Sequence, residues 1–213
     1  MKSIYGIFEG SITKNYPKGQ ILIYEGDQIR KLFYVLSGYV KVYNILDSGS
    51  ESIIFVYGPG DIFPFTSYLS GSGAARYFYE GMTDLKLRVM TIKEFEQGIQ
   101  NNIKVGEALI NYTSAVGEQF IQRIDVLSVN NARRKVIALL AFLIEKTGSK
   151  DEYSRLDIPL TTQDIADMCG LTRETTSLQL GLLRKNGILT GSRNLVINNT
   201  RLSKIKTKLT ISH

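Results

Sequence analysis

The side chains best suited to chemistry in this chain lie along one predicted helix, which begins after the turn Cys169-Gly170-Leu171. Thr172 is a suitable N-cap for this helix, and the pair Asn186-Gly187 is typical of a helix end. The first exposed turns of the helix carry charged and hydroxyl side chains. Arginine donates to guanine, glutamate accepts from cytosine, and serine can contact either kind of base. The predicted base-contacting residues are Arg173, Glu174, Ser177 and Gln179.

A second short helix precedes this one and completes a helix-turn-helix. Thr161 is an N-cap candidate with Asp164 three residues on, which is the spacing of a capping box, and Gly170 can adopt a positive φ in the turn. Downstream, residues 188–190 and 195–197 flank a polar turn and predict a β-hairpin, as in a winged helix. In this arrangement the second helix lies in the major groove of DNA. The predicted phosphate-contacting residues are Thr161, Thr162, Gln163, Thr175, Lys185 and Arg193.

Positive charge is concentrated in the part of the chain that carries this motif. Residues 129–213 contain 14 Lys and Arg against 7 Asp and Glu, a net charge of +7. Residues 1–128 contain 12 against 13, a net charge of −1. A concentrated positive field favours a polyanionic partner such as DNA. The alternative, a solvated basic surface, explains the charge but not the helix-turn-helix.

Composition argues against several other classes of function. Cys169 is the only cysteine and His213 is the only histidine, so a disulfide framework, a thiolate-held iron–sulfur cluster and a histidine-based metal site all lack their ligands. No nucleophile–base pair or phosphate-binding loop is visible, so we do not expect an enzyme. Neither a signal peptide nor an apolar run of about 18 residues is found, so we expect a cytoplasmic protein without a membrane span.

Short strands dominate the first ninety residues. Segments rich in Ile, Val, Tyr and Phe alternate with polar glycine turns, which predicts a β-sandwich or barrel. Residues 1–15 are predicted to form an irregular or helical lead-in, and Pro64–Ala75 a loop. The predicted strands cover residues 20–24, 32–36, 39–46, 51–57, 77–81 and 85–90.

Two helices are predicted after the strands. Thr91, with Glu94 at the capping-box position, is expected to cap a helix that ends near Gln100. A longer helix over 103–127 carries an apolar stripe, which either packs on the barrel or, as we predict, forms the seam of a parallel homodimer. The stripe consists of Val105, Leu109, Tyr112, Val116, Phe120, Ile124 and Leu127.

The remaining elements define the predicted domains. A hinge is expected at 128–131, where Asn131 can cap a helix over 132–146. A polar loop over 147–155 and a short strand over 156–160 are predicted to lead into the helix-turn-helix. The predicted domains are a sensor barrel over 1–101, a dimerisation helix over 102–128 and a DNA-binding domain over 132–213.

Five short motifs occur along the chain. They are Leu32–Val42, Pro59–Phe63, Thr83-Asp84, Leu160–Ala166 and Gly170–Thr175. In this order, and over nearly the whole chain, the sequence resembles the family of the cyclic-AMP receptor protein and the fumarate-nitrate reduction regulator. The resemblance implies an α+β fold with an N-terminal jelly-roll barrel of the cyclic-nucleotide-binding type, a long dimerisation helix and a C-terminal winged helix-turn-helix. It also implies a homodimeric transcription regulator that binds near-palindromic double-stranded DNA and contacts RNA polymerase.

The recognition helix departs from the family at one position. The family pattern is Arg-Glu-Thr-x-x-Arg, and Arg173, Glu174 and Thr175 match it, but Leu178 replaces the second arginine. Leucine cannot donate hydrogen bonds to guanine, whereas it can contact the methyl group of thymine. We therefore expect a half-site that differs from the family's at the base facing Leu178.

The sensor pocket departs further. Where cyclic-nucleotide binders of the family carry Gly-Glu, this chain has Pro64-Phe65, and Phe120-Ile121 replaces the polar pair that meets adenine. Arg76 lies one residue from the position of the arginine in the family's Arg-Ser or Arg-Thr pair and is followed by Tyr77. We therefore expect no cyclic-AMP control, and neither haem nor an iron–sulfur cluster as cofactor. The residues expected to line or fill the pocket are Phe63, Phe65, Arg76, Tyr77 and Phe120.

The effector and one alternative function stay open at this point. The input can be an apolar or aromatic metabolite, a protein or redox signal, or none, if the dimer is constitutively competent. The alternative is a ligand-binding regulatory subunit whose winged helix binds protein rather than DNA. The basic C-terminal half argues against that alternative.

Overall fold

The computed structural model describes residues 2–100, 103–147, 151–191 and 195–210. The chain divides into two compact units, Met1–Gly117 and Glu118–His213, and each is described separately below. One long helix begins in the first unit and ends in the second. The predicted domain boundaries and the hinge at 128–131 stay predictions. No helix in the described ranges combines the length and apolar character needed to cross a bilayer.

The first unit contains two antiparallel four-stranded sheets, in the strand orders β1-β8-β3-β6 and β2-β7-β4-β5. The jelly-roll part of the predicted α+β fold is therefore confirmed. Short helices precede and follow the strands. The elements are α1 Lys2–Phe8, β1 Ile12–Tyr16, β2 Ile21–Ile23, β3 Lys31–Ser37, β4 Val40–Ile45, β5 Glu51–Tyr57, β6 Ile62–Phe63, α2 Phe65–Leu69, β7 Phe78–Gly81, β8 Leu85–Thr91, α3 Ile92–Gln100 and α4 Ile103–Ser128.

Two strands of this unit, β1 and the short β6, were not predicted, and the predicted loop Pro64–Ala75 contains the helix α2. Residues 1–15 were expected to lack strands, but β1 pairs antiparallel with β8, with Ile12 opposite Val89 and Tyr16 opposite Leu85. Four of its five side chains are exposed, and Ile12 is 67% exposed. An edge strand with exposed side chains lacks the alternation of buried and exposed residues from which strands are predicted.

The turn between β3 and β4 requires glycine. Gly38 has a φ of +90°, and a Cβ at this position would lie 2.3 Å from the carbonyl oxygen of Asp84. The next residue, Tyr39, donates its backbone N–H to the Thr83 hydroxyl at 3.0 Å. The Thr83-Asp84 motif thus holds this turn in place.

The long helix α4 has one apolar face against the core and one in solvent, and the predicted stripe includes residues of both. Val105, Leu109 and Tyr112 pack into the core of the first unit. The Tyr112 hydroxyl accepts the backbone N–H of Ile62 at 2.7 Å and lies 3.2 Å from the Ile62 carbonyl oxygen. Val105, Leu109 and Tyr112 are covered within their own protomer, so this part of the predicted dimer seam was wrong. Ile124 and Leu127 of the same predicted stripe are exposed, and a homodimer through residues 103–127 stays a prediction. The large apolar side chains left exposed on α4 are Ile103, Ile110, Ile121, Ile124 and Leu127.

The second unit combines four helices with a small antiparallel sheet in the order β10-β11-β9. Asn131 caps the first of these helices by accepting the Arg134 N–H at 3.1 Å. The elements after α4 are α5 Ala132–Thr147, β9 Tyr153–Arg155, α6 Thr162–Cys169, α7 Arg173–Lys185, β10 Leu189–Thr190, β11 Val196–Asn198 and α8 Asn199–Thr210.

The strand predicted over 156–160 is wrong, because the third strand of this sheet is β9, inside the predicted polar loop. The error has a physical cause. Leu156, Ile158 and Leu160 are buried in alternation with more exposed residues, so they show the period of a strand without belonging to one. Burial in the core produces the pattern here, and the Leu156 N–H donates to the Leu195 carbonyl oxygen at 2.8 Å.

Candidate nucleic-acid interface

The first helix of the predicted helix-turn-helix is α6, and its N-terminus forms the predicted capping box. The Thr161 hydroxyl accepts the Asp164 N–H at 3.1 Å, and the Asp164 carboxylate accepts the Thr161 N–H at 2.7 Å. The inner face of α6 is buried through Ile165, Ala166 and Met168. At its end Gly170 adopts the left-handed conformation, with a φ of +61°. This turn redirects the chain into α7, as predicted.

The second helix, α7, is anchored on one side and exposed on the other. The Thr172 hydroxyl accepts the Thr175 N–H at 3.2 Å and so caps the helix. Thr176, Leu180 and Leu183 form its buried face. Because burial of these side chains fixes the helix by packing, the opposite face is presented to solvent.

The structure brings three of the four predicted base-contacting residues to this exposed face. Arg173, Glu174 and Ser177 are exposed. Leu178 lies beside them and is 63% exposed. Gln179 is half-buried on the flank of the helix, toward α5. Exposed arginine, carboxylate, hydroxyl and methyl groups on one helix face are the groups that contact base edges.

Gln179 lines a polar groove of about 640 Å³ with the first turn of α5. The other lining residues are Asn131, Ala132, Arg133 and Arg134. The sequence analysis did not predict this groove. Two consecutive arginines in the first turn after the cap Asn131 were the available signal, but their proximity to α7 follows only from the tertiary fold.

The predicted phosphate-contacting residues lie at the ends of the two helices. Thr161 and Gln163 are exposed at the start of α6, and Thr162 is half-exposed. Gln163 donates to the Asp167 carboxylate at 2.7 Å, and the Thr175 hydroxyl lies 2.9 Å from that of Thr172. Lys185 is exposed at the end of α7. Arg193 lies outside the described residues, between the paired strands β10 and β11 of the predicted wing.

The C-terminal end of α7 is held by a side chain from α8. Arg201 donates from Nη1 to the carbonyl oxygen of Asn186 at 3.1 Å. The following residue, Gly187, has a φ of +63°. A cation at this end of the helix also interacts favourably with the helix dipole.

The interior of the barrel, where a sensor pocket was expected, is filled by aromatic rings. Phe63 stacks on Phe33 with centroids 5.0 Å apart and on Tyr79 at 5.6 Å. The centroid of the Tyr57 ring lies 5.8 Å from that of Phe63. All four side chains are buried. The rings from the two sheets therefore occupy the space between them.

Two hydroxyl groups of α2 interact with tyrosines of this aromatic cluster. Tyr57 is hydrogen-bonded to Thr66, and Tyr79 to Ser67. Burial raises the pKa of both tyrosines above the ordinary value, so both stay neutral hydroxyls at physiological pH. The polar groups of α2 thus bond to the aromatic cluster.

The other predicted pocket residues lie outside this aromatic cluster. Phe65 packs in a separate core cluster, 5.9 Å from the Phe95 ring and 5.7 Å from that of Tyr112. Arg76 is exposed and Tyr77 is half-exposed. Phe120 is half-buried and belongs to the second unit. A cyclic nucleotide needs a cavity with partners for its phosphate and ribose, and the ring-filled barrel does not fit it.

Cys169 is a core residue of the helix-turn-helix. It is fully buried, and burial raises the pKa of its thiol to about 11. The thiol is therefore protonated and poorly reactive at neutral pH. Within the described ranges, no three His, Cys, Asp or Glu side chains lie close enough together to hold a metal ion.

Comparison with known protein families gives one match in each half of the chain. Residues 13–102 match the cyclic nucleotide-binding domain, and residues 134–204 match the Crp-like helix-turn-helix domain. The first match covers the strands of the barrel after β1 begins, and the second runs from the first turn of α5 through the first half of α8.

Relatives of known function match along most of their length. The chain is 26% identical over 191 residues to the transcriptional activator protein FnrL of Cereibacter sphaeroides, covering 86% of this chain and 75% of the relative. It is 27% identical over 197 residues to the fumarate and nitrate reduction regulatory protein of Escherichia coli, covering 90% and 77%.

Solved structures have the same fold. FixK2 from Bradyrhizobium japonicum superimposes with a TM-score of 0.78 at 24% identity, over 91% of this chain and 96% of that chain. A CooA mutant from Carboxydothermus hydrogenoformans superimposes with a TM-score of 0.73 at 25% identity, over 94% and 90%. Both domain matches, the relatives and the capped helix-turn-helix lead to one conclusion. The chain belongs to the Crp/Fnr family of DNA-binding transcription regulators.

Proposed function

We propose that the protein binds a near-palindromic DNA site as a homodimer, with α7 of each protomer in one of two successive major grooves. The observation that carries the proposal is the exposed face of α7, where Arg173, Glu174 and Ser177 stand on a helix fixed by buried Leu180 and Leu183. Half-sites read by a two-fold dimer lie about 34 Å apart, one turn of the double helix.

Leu178 is proposed to set the identity of one base pair in each half-site. Its side chain is 63% exposed beside Glu174, and Leu182, one turn further, is 37% exposed. An apolar side chain in the major groove is favoured next to the thymine methyl group. The proposed half-site therefore keeps the bases that Arg173 and Glu174 contact and has thymine near Leu178.

Contacts to the DNA backbone are proposed to come from both ends of the motif. The helix ends supply Thr161, Thr162, Gln163, Thr175 and Lys185, and the hairpin supplies Arg193. Because Gln179 faces the groove of Arg133 and Arg134, we assign these three residues to a phosphate beside the major groove. Gln179 is then a backbone contact rather than a base contact.

The homodimer is proposed to form through the outer face of α4. Ile103, Ile110 and Ile124 are spaced at multiples of seven residues and are 84%, 68% and 61% exposed. Gly117 occupies the remaining heptad position, where the absence of a side chain allows two helices to approach closely. A second copy of α4 has the matching stripe and covers it.

DNA binding is proposed to proceed without a cyclic nucleotide, because aromatic rings fill the barrel. The effector, where one is required, is an apolar or aromatic metabolite or a protein or redox input. We further propose RNA polymerase as a partner and the cytoplasm as the location, since a bacterial-type regulator acts on transcription there. Haem and iron–sulfur clusters are not proposed, for want of His and Cys ligands.

The salt dependence of DNA binding tests this function against a winged helix that binds protein. Binding of purified protein to a fluorescent duplex is measured between about 50 and 200 mM salt. A DNA-binding dimer with six or more phosphate contacts loses about 10³-fold in affinity over this range. Weak binding with a flat salt dependence would favour the protein-binding alternative.

A further inference from the structure

A buried arginine links the last turns of α4 to the helix-turn-helix. Arg123 is only 3% exposed, although arginine is rarely buried in proteins. Its guanidinium donates from Nη2 to the backbone carbonyl oxygen of Met168, in the last turn of α6. Both residues belong to the second unit.

The carbonyl that Arg123 contacts is one that α6 cannot pair by itself. At the end of a helix the last four carbonyl groups lack intrahelical donors. Here the N–H groups of Gly170 and Leu171 both donate to the carbonyl oxygen of Ala166 rather than to that of Met168. The guanidinium therefore supplies a donor to the helix end, where its positive charge also interacts favourably with the helix dipole.

The cost of burying this charge indicates that geometry, rather than stability, accounts for the arginine. Burial lowers the pKa of Arg123, which shows that the surroundings disfavour its charged form. An apolar side chain of similar volume often fills a buried site at least as favourably as a buried charge. What an apolar side chain cannot do is hold the carbonyl of Met168 at a defined distance from α4.

We infer that Arg123 is a positioning residue for DNA recognition, which fixes the turn between α6 and α7 against the end of the dimerisation helix. The turn begins one residue after Met168, and its geometry sets the direction of α7. In a dimer joined through α4, the same contact in each protomer fixes the separation of the two recognition helices. This inference rests on the proposed function, in which α7 binds the major groove and α4 forms the dimer.

Two variants separate positioning from folding. Arg123→Met keeps an unbranched apolar stem but removes every donor, whereas Arg123→Lys keeps one charged donor. Arg155→Met is the matched control, because Arg155 is exposed in the same unit and its loss changes the net charge equally. Each variant is checked for dimer mass and for its melting temperature.

The measurement is the affinity for a palindromic duplex selected by the wild-type protein, for versions with one base pair added or removed between the half-sites, and for random duplex. For Arg123→Met we expect about tenfold weaker binding to the correct spacing, unchanged binding to random DNA, and a smaller penalty for the altered spacings. Arg123→Lys should recover part of the loss, and Arg155→Met should match the wild type.

Three results would overturn the inference. The first is an Arg123→Met variant with wild-type affinity and spacing preference. The second is a parallel loss of specific and random binding together with a lower melting temperature, which would make Arg123 structural only. The third, decisive if Arg123→Met does not fold, is an Arg123→Lys variant that folds but loses specific and random binding in parallel. Absence of any selected sequence for the wild type would instead contradict the proposed function.

Discussion

At the scale of single residues, base recognition rests on a few side chains of α7 that packing leaves exposed. Glu174 is the carboxylate on this face, and a carboxylate accepts a hydrogen bond from cytosine in the major groove. We predict that Glu174→Ala relaxes specificity, with about tenfold weaker binding to the selected site and unchanged binding to random duplex. Competition binding with the two duplexes measures both effects.

Phosphate-contacting variants provide the control for this prediction. Lys185→Ala and Arg193→Ala should weaken binding to every sequence by a similar factor and lower the salt slope by about one. If Glu174→Ala lowered the affinity for selected and random DNA by the same factor, Glu174 would not contribute to base recognition.

Leu178 carries a second prediction at this scale. Replacement by the family arginine, Leu178→Arg, adds a bidentate donor at an exposed position of α7. The variant should select guanine where the wild type selects thymine, with a preference of about 1–3 kcal/mol. Sequences selected by the two proteins are compared position by position. Identical selected sites would show that residue 178 does not face a base.

At the scale of elements, the outer face of α4 exposes apolar side chains that a second copy of the helix would cover. We predict that Ile124→Asp shifts the protein from dimer to monomer, because each copy would place a charge in an apolar seam. Ile12→Asp is the matched control, since Ile12 on β1 is 67% exposed and Ile124 is 61% exposed. Sedimentation measures the mass of each variant. Dimers of Ile124→Asp with wild-type stability would exclude this face.

Elements with local signals were predicted correctly, and those that depend on tertiary context were not. The caps Thr161 and Thr172 and the turn at Gly170 involve residues a few positions apart, so the sequence contains the whole interaction. The inner stripe of α4 and segment 156–160 have the right periodicity, but periodicity does not identify what covers a face. Residues that contact the same groove from distant parts of the chain, such as Arg133 and Gln179, leave no local pattern.

The predicted site shows the same division. Arg173, Glu174 and Ser177 were located correctly on an exposed face because helix periodicity fixes their direction once the buried residues are known. The pocket residues Phe63 and Phe65 were grouped in the sequence, yet they lie in separate clusters. Their side chains sit on either side of a strand–helix junction, where neither the strand period nor the helix period applies.

At the scale of the whole molecule, the filled barrel predicts insensitivity to cyclic nucleotides. Phe63 and its three aromatic neighbours occupy the space between the sheets, and the hydroxyls of α2 bond to Tyr57 and Tyr79. We predict that millimolar cyclic AMP changes neither the affinity for DNA nor the melting temperature. An affinity for DNA that rises tenfold or more with the nucleotide would show that the rings move aside.

The most direct test of the account is selection of binding sites from random double-stranded DNA, with purified protein and no added effector at near-physiological salt. The account predicts a two-fold symmetric motif whose half-sites are centred about one helical turn apart, with thymine at the position facing Leu178. Recovery of no motif by a folded, dimeric protein, even when small molecules from a cell extract are added, would contradict sequence-specific recognition by α7.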